Sequence, residues 1–175
     1  MKIMTKKINF KITIEETAER HPVPVLGTDY KVKIIYKNIK FAELDVEDKI
    51  IKISLPNKYK KANNEKILDM AIDKMYEQIA KVEVERAMEK TRILLGFAPE
   101  DYEIKKLKKE LGKCEDNKIT INPEIIKYNR NIIDYIVLHQ YCHLKYKTHS
   151  KGFMKMIEKY EPKFEDYEKI VALVK

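Results

Sequence analysis

The sequence predicts an α+β fold, with N-terminal antiparallel β-strands followed by helices. Three observations carry that expectation. Apolar residues alternate with polar ones at period two in the first third of the chain. They recur at steps of three and four through most of the remainder, and no internal repeat, low-complexity stretch or linker separates the two portions. A length of 175 residues fits one domain over residues 1–175.

The first strand is expected at Ile8, Phe10, Ile12 and Ile14, which alternate with polar neighbours. Pro22, Pro24 and a Leu26-Gly27-Thr28 break come next, before Tyr30, Val32, Ile34 and Tyr36 resume the alternation. Residues 41–46 and 50–55 are two further short strands, closed by Pro56-Asn57. Asn63 or Asn64 caps a long helix in which Leu68, Ile72, Met75, Ile79 and Val82 form a core-facing stripe, and Gly96 sits where a C-terminal cap belongs. After Pro99, strand-like pieces occupy residues 102–107 and 118–121. Helical spacing returns at Ile132, Ile133, Ile136 and Val137 and runs through His143. Ser150 caps another helix carrying Phe153, Ile157 and Tyr160. Pro162 ends it, and Tyr167, Ile170, Val171 and Val174 mark a last short one.

Hydrophobic residues make up 44% of the chain and charged residues 37%, enough apolar sequence for a core, which excludes wholesale disorder. No apolar run approaches the roughly eighteen residues of a membrane span, and the N-terminus lacks an apolar h-region, so a cytoplasmic protein without a membrane partner is expected. Cys114 and Cys142 cannot build a disulfide scaffold. The 36 Lys+Arg against 28 Asp+Glu, a net charge of +8, admit a nucleotide or nucleic-acid partner. Lys and Glu interleave throughout, however, so a solvated surface is the first reading. The run Lys105, Lys106, Lys108, Lys109 and Lys113 is likewise read as a solvated face ahead of a phosphate-binding groove. Nothing in the chain signals an oligomeric state.

Three of the four histidines, His139, His143 and His149, fall within eleven residues. Two imidazoles four apart on a helix share a face and can reach one metal ion. A third just beyond the helix completes three ligands and leaves a position for water, the layout of a catalytic Zn2+ site. His21, beside Pro22, has no partner in sequence. In zinc hydrolases of the H-E-x-x-H type, the residue after the first His is the general base. Here it is Gln140, and a carboxamide can hydrogen-bond water but cannot take its proton. A near-isosteric Glu→Gln change would silence an enzyme while keeping its site. A natural pseudoenzyme is the other route to Gln140, and retention of all three histidines favours the first. Glu110, Glu115 and Asp116 are candidates for a substitute base. Cys142 is expected to pack beside the site, and Cys114 to be a small buried residue.

The run Asp134-Tyr135-Ile136-Val137-Leu138-His139-Gln140-Tyr141-Cys142-His143, followed by His149-Ser150 and Phe153, resembles the C-terminal motif of the YgjP-like metallopeptidase domain family, related to the SprT-type zinc proteases. Leu111-Gly112-Lys113-Cys114, Ile119-Thr120-Ile121-Asn122 and Leu26-Gly27-Thr28-Asp29-Tyr30 are similar to that family's upstream segments, so the resemblance covers about residues 22–175. It implies a zincin-like helical portion with a metal-binding active-site helix. It also implies His139, His143 and His149 as zinc ligands, and Gln140 in the place of the catalytic Glu. The family's Trp, Ser and Trp are Leu111, Lys113 and Met154 here. Metzincins carry Gly three residues after the second His, where this chain has Tyr146. Gluzincins take a distant Glu, for which Glu158, Glu161 and Glu165 are available, but His149 has the matching spacing.

The expected function is therefore a zinc-dependent metallopeptidase-like hydrolase acting on peptide or protein, inactive or weakened by Gln140. The alternatives are a metal-dependent nucleoside triphosphate pyrophosphohydrolase and a non-catalytic metal-binding pseudoenzyme.

Overall fold

The computed structural model describes residues 22–60 and 64–172. The expected strand at residues 8–14, His21 and Val174 lie outside the described residues.

Four strands come first: β1 (Val23–Val25), β2 (Thr28–Lys37), β3 (Glu43–Glu47) and β4 (Ile50–Pro56), in the order β1-β2-β4-β3. The strands-then-helices α+β class matches the expectation, with one correction to the pairing. β1–β2 and β3–β4 are antiparallel, but β2–β4 is parallel, with Lys31 opposite Ile50 and Lys37 opposite Pro56. The reason lies in β4, whose Ile51, Ile53 and Leu55 are nearly inaccessible to solvent. Its near-continuous apolar run suits a central strand covered on both faces. β3, alternately charged and exposed along its whole length, takes the edge. β1 was not expected as a strand. It tolerates Pro24 because it is an edge. Leu26-Gly27, Asp48-Lys49 and Asp116-Asn117 each pair two positive-φ residues, the geometry of tight two-residue hairpin turns.

The long helix α1 (Asn64–Leu95) follows, and Gly96 ends it with φ 74°. Its expected stripe holds for Leu68 and Met75, which are buried, but Val82 is 67% exposed. Steps of three and four alternate to average 3.5 residues, whereas the helix turns every 3.6, so the stripe drifts around a long helix. The buried face passes instead to Tyr76, Ala80, Val84, Ala87 and Thr91.

β5 (Asp101–Ile104), β6 (Gly112–Glu115) and β7 (Lys118–Ile121) form a second sheet ordered β5-β7-β6, with β6 unpaired along one edge among the described residues. α2 (Arg130–Lys145) is started by Asn129, whose side chain accepts from the Ile132 N–H, and α3 (Lys151–Tyr160) by Ser150, which accepts from Phe153 N–H. α4 (Phe164–Ala172) closes the described chain. Among the described residues no helix is long and apolar enough to cross a membrane.

Helices α1 and α2 are clamped by charge as well as packing. The Glu83 carboxylate, 7% exposed, accepts from Arg130 (2.6–3.1 Å) and Arg86 (3.0 Å), and Asp134 accepts from Arg86 (2.7 Å) and Lys90 (2.6 Å). Hydrogen bonds from Arg130 hold the Glu83 carboxyl below the usual carboxylate range. Burial opposes them, and Arg86 adds to the lowering. A depressed folded pKa contributes stability that is present above the unfolded value and lost as pH falls through the folded one. Glu83→Gln is therefore expected to cost about 2 kcal/mol at pH 7. Urea unfolding should show that difference shrinking toward pH 3. A pH-independent difference would mean that packing, not charge, holds the clamp.

Candidate metal centre

The site is built on α2 because its core face is apolar over Ile132, Ile133, Ile136 and Val137, all buried, which fixes the helix rotation. That rotation carries His139 and His143, one turn apart and in line with Ile132 and Ile136, to the C-terminal end of the same stripe, where both are half-buried. Tyr146 ends the helix, and the short turn to Ser150 brings His149 back over them. The three Nε2 atoms lie 3.1–3.2 Å from one another. Phe153, buried in α3, backs all three rings with centroids 4.6–5.0 Å away.

Three nitrogens this close cannot all satisfy one another as hydrogen-bond partners, but they can converge on one cation. Corners of a tetrahedron about 2.0–2.1 Å from its centre are roughly 3.3–3.4 Å apart, so the observed spacing fits a zinc-sized ion. The protonation pattern fits too. His143 Nδ1 donates to the Tyr146 carbonyl at 3.0 Å, and since a carbonyl only accepts, the neutral ring turns its Nε2 lone pair to the cluster. Burial pushes the His143 pKa down, the Tyr146 carbonyl opposes this, and His149 and Lys147 add to the lowering, so the ring is held neutral as a metal ligand must be. His139 Nδ1 faces the Tyr135 hydroxyl at 3.3 Å.

Gln140 follows His139 but is 6% exposed and lies under β6. A Cβ on Gly112 would sit 3.1 Å from Gln140 Cγ and 3.2 Å from Cδ, so any other residue there would require the Gln140 side chain to give by a few tenths of an ångström. Its Oε1 is buried with no hydrogen-bond partner among the described residues.

Among the described residues, only His139, His143 and His149 form a group able to hold a metal ion. Cys142 is fully buried, and burial pushes its thiol up to about 12, which fits the packing role expected. Cys114 is half-buried rather than buried. Glu158, Glu161 and Glu165 bring no carboxylate into the histidine group. A cleft of about 660 Å³ opens at His139 and His149, floored by Leu111, Ile136 and Phe164 and edged by Glu110, Glu165, Glu168 and Lys169. Of the proposed substitute bases only Glu110 lines it. Sequence reasoning assigned no role to Tyr135, Tyr146 or Gly112. Tyr135 was findable as the residue one turn before His139, whereas the other two contacts depend on tertiary approach.

The family model described as YgjP-like, metallopeptidase domain, matches residues 2–172, reaching further toward the N-terminus than the motifs alone. No curated protein matches the chain. Solved structures similar to it include two metallopeptidase zymogens. The metallopeptidase zymogen abylysin of Pyrococcus abyssi is 26% identical with a TM-score of 0.46, over 50% of this chain and 90% of its own. The metallopeptidase zymogen jannalysin of Methanocaldococcus jannaschii is 20% identical with a TM-score of 0.47, over 53% and 91%.

Proposed function

This chain belongs to the YgjP-like metallopeptidase domain family, and from that premise we propose that it is a zinc-dependent metallopeptidase-like hydrolase, held inactive or weakened by Gln140. In this reading His139, His143 and His149 hold the ion. The observation that carries the choice of a polypeptide substrate is the position of β6. It is an edge strand whose Gly112, with Glu110 and Leu111 just before it, borders the cleft at His139 and His149. An unpaired strand edge offers backbone N–H and C=O groups to an extended peptide. The cleft carries three glutamates against one lysine, which suits a cationic polypeptide and repels a triphosphate.

A bound zinc ion supplies Lewis acidity that polarises a carbonyl and acidifies water. The chain's own residues do the rest. The Tyr146 carbonyl fixes the His143 tautomer, Phe153 holds the three rings in register, and the β6 edge orients the backbone to be cut. A carboxamide at position 140 can hydrogen-bond water but cannot accept its proton.

Metal analysis after dialysis is expected to find one zinc per chain. Fluorescence anisotropy should show zinc-dependent binding of a labelled unfolded polypeptide, with little cleavage and no pyrophosphate release from nucleoside triphosphates. Pyrophosphate release, or no stoichiometric zinc, would overturn the reading.

A further inference from the structure

On the other side of the α2–α3 junction a shallow groove of about 330 Å³ runs between the segment after α1 and α3. Lys145, Lys155 and Lys159 line it together with the rings of Phe97, Tyr146 and Tyr160, and no acidic residue does. All three lysines are exposed, and none makes an ion pair with a described residue, although Lys90, Lys106, Lys113, Lys118 and Lys127 all do. The three rings are half-buried, recessed between the ammonium groups. Lys145 Nζ stands 4.4 Å from the Phe97 ring centroid and Lys159 Nζ 4.9 Å from that of Tyr160.

The floor of the groove depends on Gly152. A Cβ there would come within 2.6 Å of the Tyr146 ring, so the absence of a side chain is what lets the ring lie against α3.

We propose that this groove binds single-stranded nucleic acid. Lys145 and Lys159 each lie over a ring, so cations for phosphates stand among aromatic side chains against which bases can pack, the combination that recognises single strands irrespective of sequence. Recessed rings can be reached by unstacked bases but not by bases inside a duplex. An acidic peptide would use the lysines and leave the aromatic lining of the groove idle. An anionic membrane calls for apolar side chains that protrude, whereas these lie back. The inference is independent of the metal reading, since the groove contains none of the three histidines.

The test is fluorescence anisotropy of fluorescein-labelled oligo(U) and oligo(dT) 12-mers with the zinc-free and zinc-loaded full chain, over a range of KCl concentrations. Saturable binding is expected in both states, with a log–log salt slope of about −2 from three phosphate contacts. The exposed pair Lys155→Gln with Lys159→Gln should lower affinity roughly 10-fold and bring the slope to about −0.7. Tyr160→Ala should lower affinity roughly 5- to 100-fold at unchanged slope. A control pair with the same loss of charge, Lys108→Gln with Lys109→Gln, should leave binding intact. The proposal is overturned by absent binding, by an equal effect of the control pair, or by equally tight binding to polyglutamate or to phosphatidylserine vesicles.

Discussion

Gln140→Glu is expected to raise the rate of peptide-bond hydrolysis by the zinc-loaded protein roughly 10²–10⁴-fold, the contribution of a positioned general base. The two side chains are nearly isosteric. Gln140 already lies packed beneath Gly112 directly after His139, so the carboxylate arrives where the carboxamide stands without a new cavity or clash. The change is then one of proton chemistry: a carboxylate at position 140 that meets the attacking water can take its proton and return it to the leaving amine. Burial raises the pKa of such a carboxyl, which moves a group that ordinarily titrates near 4.3 toward the range useful for a general base at neutral pH. Initial rates on a labelled unfolded protein, with matched zinc occupancy confirmed by metal analysis, measure the effect. If occupancy is unchanged and no rate appears, Gln140 is not what restrains this chain, and the pseudoenzyme reading takes its place.

His149→Ala is expected to abolish stabilisation by zinc while leaving the metal-free protein nearly unchanged. His149 is exposed, and truncating an exposed side chain ordinarily changes stability by no more than about 0.5 kcal/mol. With three nitrogens 3.1–3.2 Å apart, however, it is one third of the donor set. Free zinc at about 1,000 times its Kd stabilises a folded protein by about 4 kcal/mol. For a chain of 175 residues that is a rise in Tm of roughly 8–16 °C. Thermal scans with and without zinc should show that rise in the parent and lose it in His149→Ala. The rise should also fade as pH drops below about 6, where protons compete with the metal for imidazole nitrogens. A full zinc shift retained in His149→Ala would remove His149 from the ligand set.

What could be read from the chain and what could not divide along contact range. The α2 histidine pair and the Ser150 cap were legible because helical period and capping are local, set within about four residues. The strands β2, β3 and β4 were legible from alternation and from the Pro56-Asn57 stop. β1 and β6 were not, since three residues containing a proline and four beginning with a glycine carry no periodic signal and become strands only when a neighbour supplies the hydrogen bonds. Parallel pairing of β2 with β4 was equally invisible, because register between strands depends on which faces the rest of the fold covers.

The sequence by itself determined the class of fold, the helix that carries the histidine pair, the identity of three convergent imidazoles and the carboxamide that follows the first of them. Tertiary structure alone decided which glutamates reach the cleft and how closely β6 lies over Gln140. It also decided that Glu83 and Asp134 bind α1 to α2, and that Lys145, Lys155 and Lys159 share one groove with three rings. The physical reason is common to all of these. They are contacts between residues distant in the chain, held by burial of surfaces that exist only once the elements have packed, and no local period encodes them.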